Sequence, residues 1–173
     1  MDLFIPIAMI TIAAGAAVTD ARTGLIPNWL TLPPLLAAPV FHLLTQGTGG
    51  LVFSLAGALV CGILPYLLFR TGSMGGGDVK LLAALGALGG ARLGLEIEII
   101  GMCFGAVYGL LLLARRGALR KTLASSMWLA INVLLPARMR RPITPTEMVP
   151  LRLGVPLFLG TVTGLALAAG AAT

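Results

Sequence analysis

The sequence has 173 residues, of which 58% are hydrophobic and only 10% charged, and its mean hydropathy is +1.00. These are too few polar residues to cover the surface of a soluble protein. The composition therefore excludes an ordinary soluble domain and indicates a protein of the lipid bilayer. The net charge of +6 does not indicate nucleic-acid binding, because the basic residues are dispersed in short segments between apolar stretches.

Six apolar stretches follow one another along the chain, and a membrane helix needs roughly 20 mostly apolar residues. The first is not preceded by basic residues, so it is predicted to be a retained helix and not a secretory signal. The sequence therefore predicts one all-α domain over residues 1–173, a polytopic membrane protein with about six transmembrane helices. The stretches are residues 3–19, 29–46, 51–69, 79–90, 93–114 and 152–172.

The segment at residues 115–150 contains a further apolar run that basic residues flank on both sides. If this run crossed the membrane, one basic cluster would lie on the wrong side. It is predicted to be an amphipathic helix at residues 119–136 in the cytoplasmic interface, with Trp128 as an anchor.

Basic residues also predict the orientation of the chain. Eleven of the twelve Lys and Arg residues fall in the first, third and fifth connecting segments or at the adjoining helix starts, and Arg92 is the exception. Positively charged segments stay on the cytoplasmic side of a membrane. Both termini are therefore predicted to lie outside the cytoplasm.

Two of the six acidic residues differ from the rest in context. Asp20 ends the first apolar stretch, close to Gly24 as a C-terminal cap, and Asp78 follows Gly75–Gly77 at the start of the short fourth stretch. Ionisable groups at such depth are costly unless they are paired, so both are candidates for function. The other four are expected to be solvated or interfacial: Asp2, Glu96, Glu98 and Glu147.

The remaining polar groups of the apolar stretches have structural interpretations. His42 is expected to be a satisfied core or interface histidine. Cys61 and Cys103 are expected to be small buried hydrophobic residues, without a disulfide framework or a zinc pair. No metal and no cofactor is predicted.

A pair of carboxylates facing a recess is sufficient for aspartyl proteolysis. The ionised member takes a proton from water while the protonated member polarises the peptide carbonyl. The N-terminal end of a helix favours an anion and the C-terminal end disfavours one, so Asp78 is predicted to be the base and Asp20 the acid. Glycines before Asp78 would let an extended peptide approach closely.

At these residues the sequence resembles the type IV prepilin and archaeal preflagellin peptidases, which are GxGD intramembrane aspartyl proteases. Their first motif is similar to the segment Asp20-Ala-Arg-Thr-Gly-Leu-Ile-Pro-Asn28, and their second to Gly75-Gly-Gly-Asp78-Val-Lys80. The resemblance implies that Asp20 and Asp78 are the catalytic pair. It also implies that the substrate is the basic leader of a pilin-like precursor, cut at the cytoplasmic face of the inner membrane.

The resemblance further suggests which residues contact substrate. Gly75, Gly76, Gly77, Asn28 and Lys80 are the candidates, and the alternatives are a turn for the glycines, a helix start for Asn28 and a snorkelling side chain for Lys80. Precursor and membrane lipid are the expected partners. The sequence lacks the cysteine-containing segment of larger, methylating family members, so it resembles the short form and methylation is not expected.

Two other classes of function use the same features. A small proton-coupled transporter would also need paired intramembrane carboxylates, although it favours midplane placement and an inverted repeat. A non-catalytic component of a pilus or secretion assembly is the third possibility.

Overall fold

The computed structural model describes residues 3–115 and 152–171, and within these ranges the regular structure is helical throughout. Helices α1, α2 and α3 are long and apolar enough to cross a membrane, and α4 is a shorter apolar helix. The prediction of an all-α, polytopic membrane protein is thereby confirmed. The four helices are α1 (Phe4–Thr23), α2 (Asn28–Arg70), α3 (Gly76–Arg115) and α4 (Gly154–Gly170). Outside the described residues lie the predicted interfacial helix with Trp128, and also Asp2 and Glu147.

A single glycine interrupts each of the two longest helices. Gly47 in α2 has φ 70° and ψ −155°, and Gly90 in α3 has φ 78° and ψ 173°. Residues with a side chain rarely adopt such angles, whereas glycine does so at little cost. The breaks separate segments 28–46 and 48–70 of α2, and segments 76–89 and 91–115 of α3. They fall between the apolar stretches that the sequence distinguishes.

The chain turns back on itself at both glycines. Gly50 approaches the carbonyl oxygen of His42, and a Cβ built on Gly94 would lie 2.9 Å from the Cα of Gly86. Residues eight positions apart in a continuous helix would be separated by about 12 Å along its axis. Each glycine is therefore a reversal of chain direction and not a gentle bend.

The core lies along the first segment of α3, residues 76–89. Its apolar side chains are buried on nearly every side, whereas many large apolar side chains of α2 are exposed. A largely apolar exterior of this extent suits contact with lipid. The central helix is thus the one that carries Asp78 in its first turn. Its buried side chains include Leu81, Leu82, Ala84, Leu85, Ala87 and Leu88.

Side chains of α2 satisfy the carbonyl groups beside the break in α3. Carbonyls at a helix end lose their helical donors and need others. Ser54 and His42, two buried polar groups, supply them for Ala87 and Leu88 before the break, and Cys61 contacts the carbonyl of Ala91 after it. The bonds are Ser54 Oγ to Ala87 O at 2.8 Å, His42 Nε2 to Leu88 O at 3.1 Å and Cys61 Sγ to Ala91 O at 3.9 Å.

His42 is therefore the satisfied histidine that the sequence predicts. A carbonyl oxygen only accepts, so Nε2 carries the hydrogen, and Nδ1 accepts from Gln46 Nε2 at 3.2 Å. Cys61 is buried as expected, but the prediction of a buried Cys103 is wrong, because this thiol is exposed. Cys103 lies on an outward face of α3, and a local apolar run does not show which of its residues face outward.

Glycines also allow the helices to approach closely. A Cβ on Gly57 of α2 would collide with the carbonyl of Gly86 in α3, and one on Gly160 of α4 would lie 2.6 Å from the Cα of Gly101. Small residues at membrane helix interfaces permit this kind of backbone contact. α1 in turn packs mainly against α4, and this contact shapes the site.

Candidate active site

Asp20 lies in the last turn of α1, and its side chain is 6% exposed. Gly24 adopts the left-handed conformation, with φ 71°, and its N–H donates to the carbonyl oxygen of Asp20 at 2.8 Å. The predicted C-terminal cap is therefore confirmed. The carboxyl oxygen Oδ2 accepts a second backbone hydrogen bond, from the N–H of Gly154 at 2.8 Å. That donor belongs to the first residue of α4.

Asp78 lies in the first turn of α3 and is 8% exposed. Its Oδ2 accepts a hydrogen bond from the N–H of Gly75 at 3.2 Å. The carboxyl group thus occupies the N-terminal end of the central helix, where unpaired N–H groups favour an acceptor. The position of the Asp78 carboxyl group depends on the burial of the helix segment that follows it, up to residue 89.

The fold brings the two carboxyl groups together. The carboxyl groups of Asp20 and Asp78 are close enough to interact electrostatically. The connection between α1 and α2 packs against the start of α3. A Cβ on Gly77 would lie 2.8 Å from the Cβ of Ile26, so only glycine allows this approach. The result is a buried pair of carboxyl groups at one end of the helices.

Each carboxyl group keeps one oxygen without a hydrogen bond to any residue that the structure describes. Within residues 3–115 and 152–171, Oδ2 of Asp20 and Oδ2 of Asp78 are the oxygens that accept from backbone N–H groups. Since an N–H can only donate, a proton on either acid belongs on Oδ1. Both groups can therefore exchange a proton with water through Oδ1 while Oδ2 stays anchored.

The prediction that Asp78 is the base and Asp20 the acid was based on the helix end at which each residue lies. The structure shows a different arrangement of helix ends around Asp20. Asp20 does lie at the C-terminal end of α1, but its carboxyl group faces the N-terminal end of α4. N-terminal helix ends therefore favour an anion at both positions. Helix ends do not distinguish the base from the acid.

The other motif residues make contacts of their own. Lys80 Nζ donates to Asn28 Oδ1 at 2.7 Å, which joins the start of α2 to the first turn of α3. Gly75 supplies the N–H that holds Asp78, and a Cβ on Gly76 would lie 3.4 Å from the ring of Phe69. Gly76 and Gly77 thus face neighbouring protein atoms, where the sequence suggested open space for a peptide.

Two site residues come from beyond the motifs. Gly154 donates to Asp20, and Arg152 Nη1 donates to the carbonyl oxygen of Ala21 at 2.6 Å. In the sequence they are an arginine and a glycine at the start of the last apolar stretch. Such a pattern is too common to indicate a functional role, so sequence reasoning missed both.

The interpretation of Glu98 as solvated or interfacial is wrong. Its side chain is 1% exposed, and neither carboxyl oxygen has a hydrogen-bond partner in the described part of the chain. Glu96 behaves as expected and pairs with exposed Arg92 at 3.2 Å. Two positions along an α-helix correspond to a rotation of about 200°, so the two glutamates point to opposite sides of α3.

A cavity of about 1040 Å³ lies away from the carboxyl pair. His42, Gln46, Arg92 and Glu96 line it together with apolar side chains, and Ile5 lines it from the start of α1. Ile5 and Asp20 are about 22 Å apart along their helix. The cavity is therefore at the opposite end of α1 from the candidate site.

Comparison with known proteins gives two matches. The sequence model described as the type IV leader peptidase family matches residues 7–110. A prepilin leader peptidase/N-methyltransferase of Bacillus subtilis (strain 168) is 32% identical over 112 residues, which are 63% of this chain and 44% of that protein. The chain thus spans less than half the length of this curated relative. No solved structure matches the chain.

Proposed function

Because the chain belongs to the type IV leader peptidase family, we propose that it is a prepilin leader peptidase, an aspartyl endopeptidase embedded in the membrane. The observation that carries the proposal is the pairing of Asp20 with Asp78, two buried carboxyl groups from different helices. Both lie within the region that matches the family. Charged side chains are expensive at such depth and mark functional sites.

The pair supplies what peptide hydrolysis needs. The ionised carboxylate takes a proton from water, whose oxygen bonds to the carbonyl carbon of the scissile peptide, and the protonated partner gives its proton to the carbonyl oxygen. The tetrahedral intermediate, a gem-diol, then collapses: the carbon–nitrogen bond breaks, the acid that took the water proton gives it to the leaving amine, and one hydroxyl proton of the gem-diol returns to the other carboxylate as the new carboxyl group forms. The pair ends with one proton, as it began. Since one proton is shared, the two groups act as one unit.

The proposed arrangement in the membrane has six crossings. A continuous α2 of 43 residues would measure about 64 Å, roughly twice the ~30 Å thickness of the hydrocarbon core. The reversals at Gly47 and Gly90 divide α2 and α3 into four segments. Three of them are close to the thickness of the core or exceed it, and the fourth, residues 76–89, covers only about 21 Å, so Asp78 at its start lies below the level of the lipid headgroups. With the basic residues on the cytoplasmic side, the carboxyl pair faces the cytoplasm and both termini lie outside it, in a multi-pass protein of the inner membrane.

The proposed substrate is the leader of a pilin-like precursor, since the leader joins the mature chain at the cytoplasmic membrane surface. Lys80 and Asn28 belong to the same two motifs as Asp78 and Asp20 and are joined by their own hydrogen bond, so we include them among the residues that contact substrate. Gly75 is the exposed glycine of the three, and it offers the closest approach of an extended peptide to Asp78. Gly76 and Gly77 shape the same turn.

The test is cleavage of a pilin precursor by Asp20→Asn and Asp78→Asn variants. An amide has the size of a carboxyl group but cannot exchange the proton. Each variant is expected to lose leader cleavage by at least about 1,000-fold, and the double variant to be no worse than either single one. Precursor and processed pilin would be resolved side by side at equal amounts of enzyme in the membrane.

The matched control is Glu96→Gln, which also replaces a carboxylate by an amide. The Glu96 side chain is exposed and points to the opposite side of α3 from Glu98. The Glu96→Gln variant is expected to retain full cleavage. Leader cleavage that survives in either aspartate variant would refute the proposal. Absence of cleavage by the wild-type chain with several precursors would favour a transporter or an assembly component.

A further inference from the structure

The first residues of α4 hold the end of α1 at two points. The N–H of Gly154 donates to Asp20 Oδ2 at 2.8 Å, and this bond is buried. Arg152 Nη1 donates to the carbonyl oxygen of Ala21 at 2.6 Å, and its guanidinium group also lies 3.9 Å from where a Cβ on Gly24 would be. Carbonyls in the last turn of a helix have no helical donor, so a basic side chain stabilises them.

Gly154 has no room for a side chain. A Cβ there would lie 2.7 Å from the Cβ of Asp20, 2.9 Å from its Oδ2 and 3.0 Å from the carbonyl oxygen of Ala16. Asp20 Cβ and the carbonyl oxygen of Ala16 are not the ends of flexible side chains, and Asp20 Oδ2 is held by its hydrogen bond to Gly154. Any substitution must therefore move either the Asp20 side chain or the start of α4.

We infer that Gly154 is a positioning residue for the catalytic pair and that Arg152 fixes the helix end on which Asp20 is carried. The inference rests on the proposed peptidase function. Gly154 anchors Oδ2 of Asp20, so that Oδ1 is directed to the shared proton and the water. Gly75 does the same for Asp78, and a backbone donor therefore aligns each acid.

Arg152 and Gly154 lie outside residues 7–110, which are the residues that the family model matches. The functional unit is therefore larger than the two motifs and includes the start of the last helix. A rigid backbone donor suits the task, because small displacements of catalytic groups are costly. A misplacement of about 1 Å can reduce a rate by roughly 100-fold.

The test compares Gly154→Ala with Gly49→Ala. Both add one methyl group, but a Cβ on Gly49 meets nothing within 4 Å. Gly154→Ala is expected to lower kcat for leader cleavage by about 100-fold with KM unchanged, because Gly154 does not contact substrate. Gly49→Ala is expected to keep both constants. A purely structural role would lower the amount of folded enzyme and leave kcat per folded molecule intact.

A second pair of variants decides the case if Gly154→Ala does not accumulate in the membrane. Arg152 is exposed, so Arg152→Ala leaves packing intact, and we expect kcat to fall severalfold and Arg152→Lys to restore most of it. Wild-type kcat in folded Gly154→Ala, or equal kcat in the two Arg152 variants, would overturn the inference. In either case inactive Asp20→Asn enzyme would leave the peptidase proposal standing.

Discussion

At the scale of single residues, two buried polar side chains of α2 find their hydrogen-bond partners in the broken helix α3. Ser54 and His42 lie in apolar surroundings, and each donates to a carbonyl of α3. Glu98 has no such partner in the described residues. Burial of polar groups without hydrogen bonds is costly, so the first two have a structural role that the sequence does not reveal.

Removal of the Ser54 hydroxyl should destabilise the fold without altering the site. Ser54→Ala takes one donor from the buried carbonyl of Ala87, which costs about 1 kcal/mol. Thr45→Val is the matched control, because the exposed Thr45 hydroxyl bonds only within its own helix. Unfolding in a detergent titration would measure the difference. Equal midpoints for the two variants would show that the bond contributes nothing.

At the scale of helices, close backbone contact holds α2 against the first segment of α3. Gly57 approaches the carbonyl of Gly86, whereas a Cβ on Gly62 would meet Ala83 at an ordinary 3.5 Å. The two glycines lie on the same helix and differ only in this contact. Comparing alanine substitutions at Gly57 and Gly62 therefore separates the effect of helix packing on stability from the effect of helix propensity.

Gly57→Ala should therefore weaken the fold and Gly62→Ala should not. The added methyl group at Gly57 forces the helices apart at a cost of about 1–3 kcal/mol. The same methyl group at Gly62 gains about 0.5–1 kcal/mol from the higher helix propensity of alanine. Thermal unfolding of both proteins in one detergent would measure this. Similar loss of stability in the two would contradict the packing argument.

At the scale of the whole molecule, the proposal of six crossings makes a prediction about sidedness. Single cysteines at Thr23, Thr48 and Ser73 would be introduced after Cys61→Ala and Cys103→Ala. All three positions are exposed: Thr23 ends α1, Thr48 follows the break at Gly47, and Ser73 lies in the connection between α2 and α3. In spheroplasts, a membrane-impermeant thiol reagent should label the cysteine at position 48 and not those at 23 and 73.

Labelling after lysis supplies the control, because all three cysteines should then react. Reaction at position 23 in intact spheroplasts would reverse the orientation and place the carboxyl pair outside the cytoplasm. Protection of position 48 in intact spheroplasts would contradict the reversal of α2 between two crossings. Either result would leave the geometry of the carboxyl pair itself unchanged.

The sequence alone determined the membrane class, the apolar segments and the two aspartates. Those features follow from local properties: long apolar runs can only be stable in lipid, and a carboxylate next to such a run is conspicuous because its burial is costly. The cap at Gly24 is equally local, since glycine adopts the left-handed conformation at a helix end. None of these predictions depends on which helix packs against which.

Only the tertiary structure decided how the site is held. Gly154 donates to Asp20 from a distant part of the chain, and a glycine at a helix start carries no sign of that contact in the sequence. The same is true of Glu98, whose face of α3 turned out to be the buried one. Hydrogen bonds and burial between distant segments depend on how the helices pack, and packing is set by the chain as a whole and not by any local pattern.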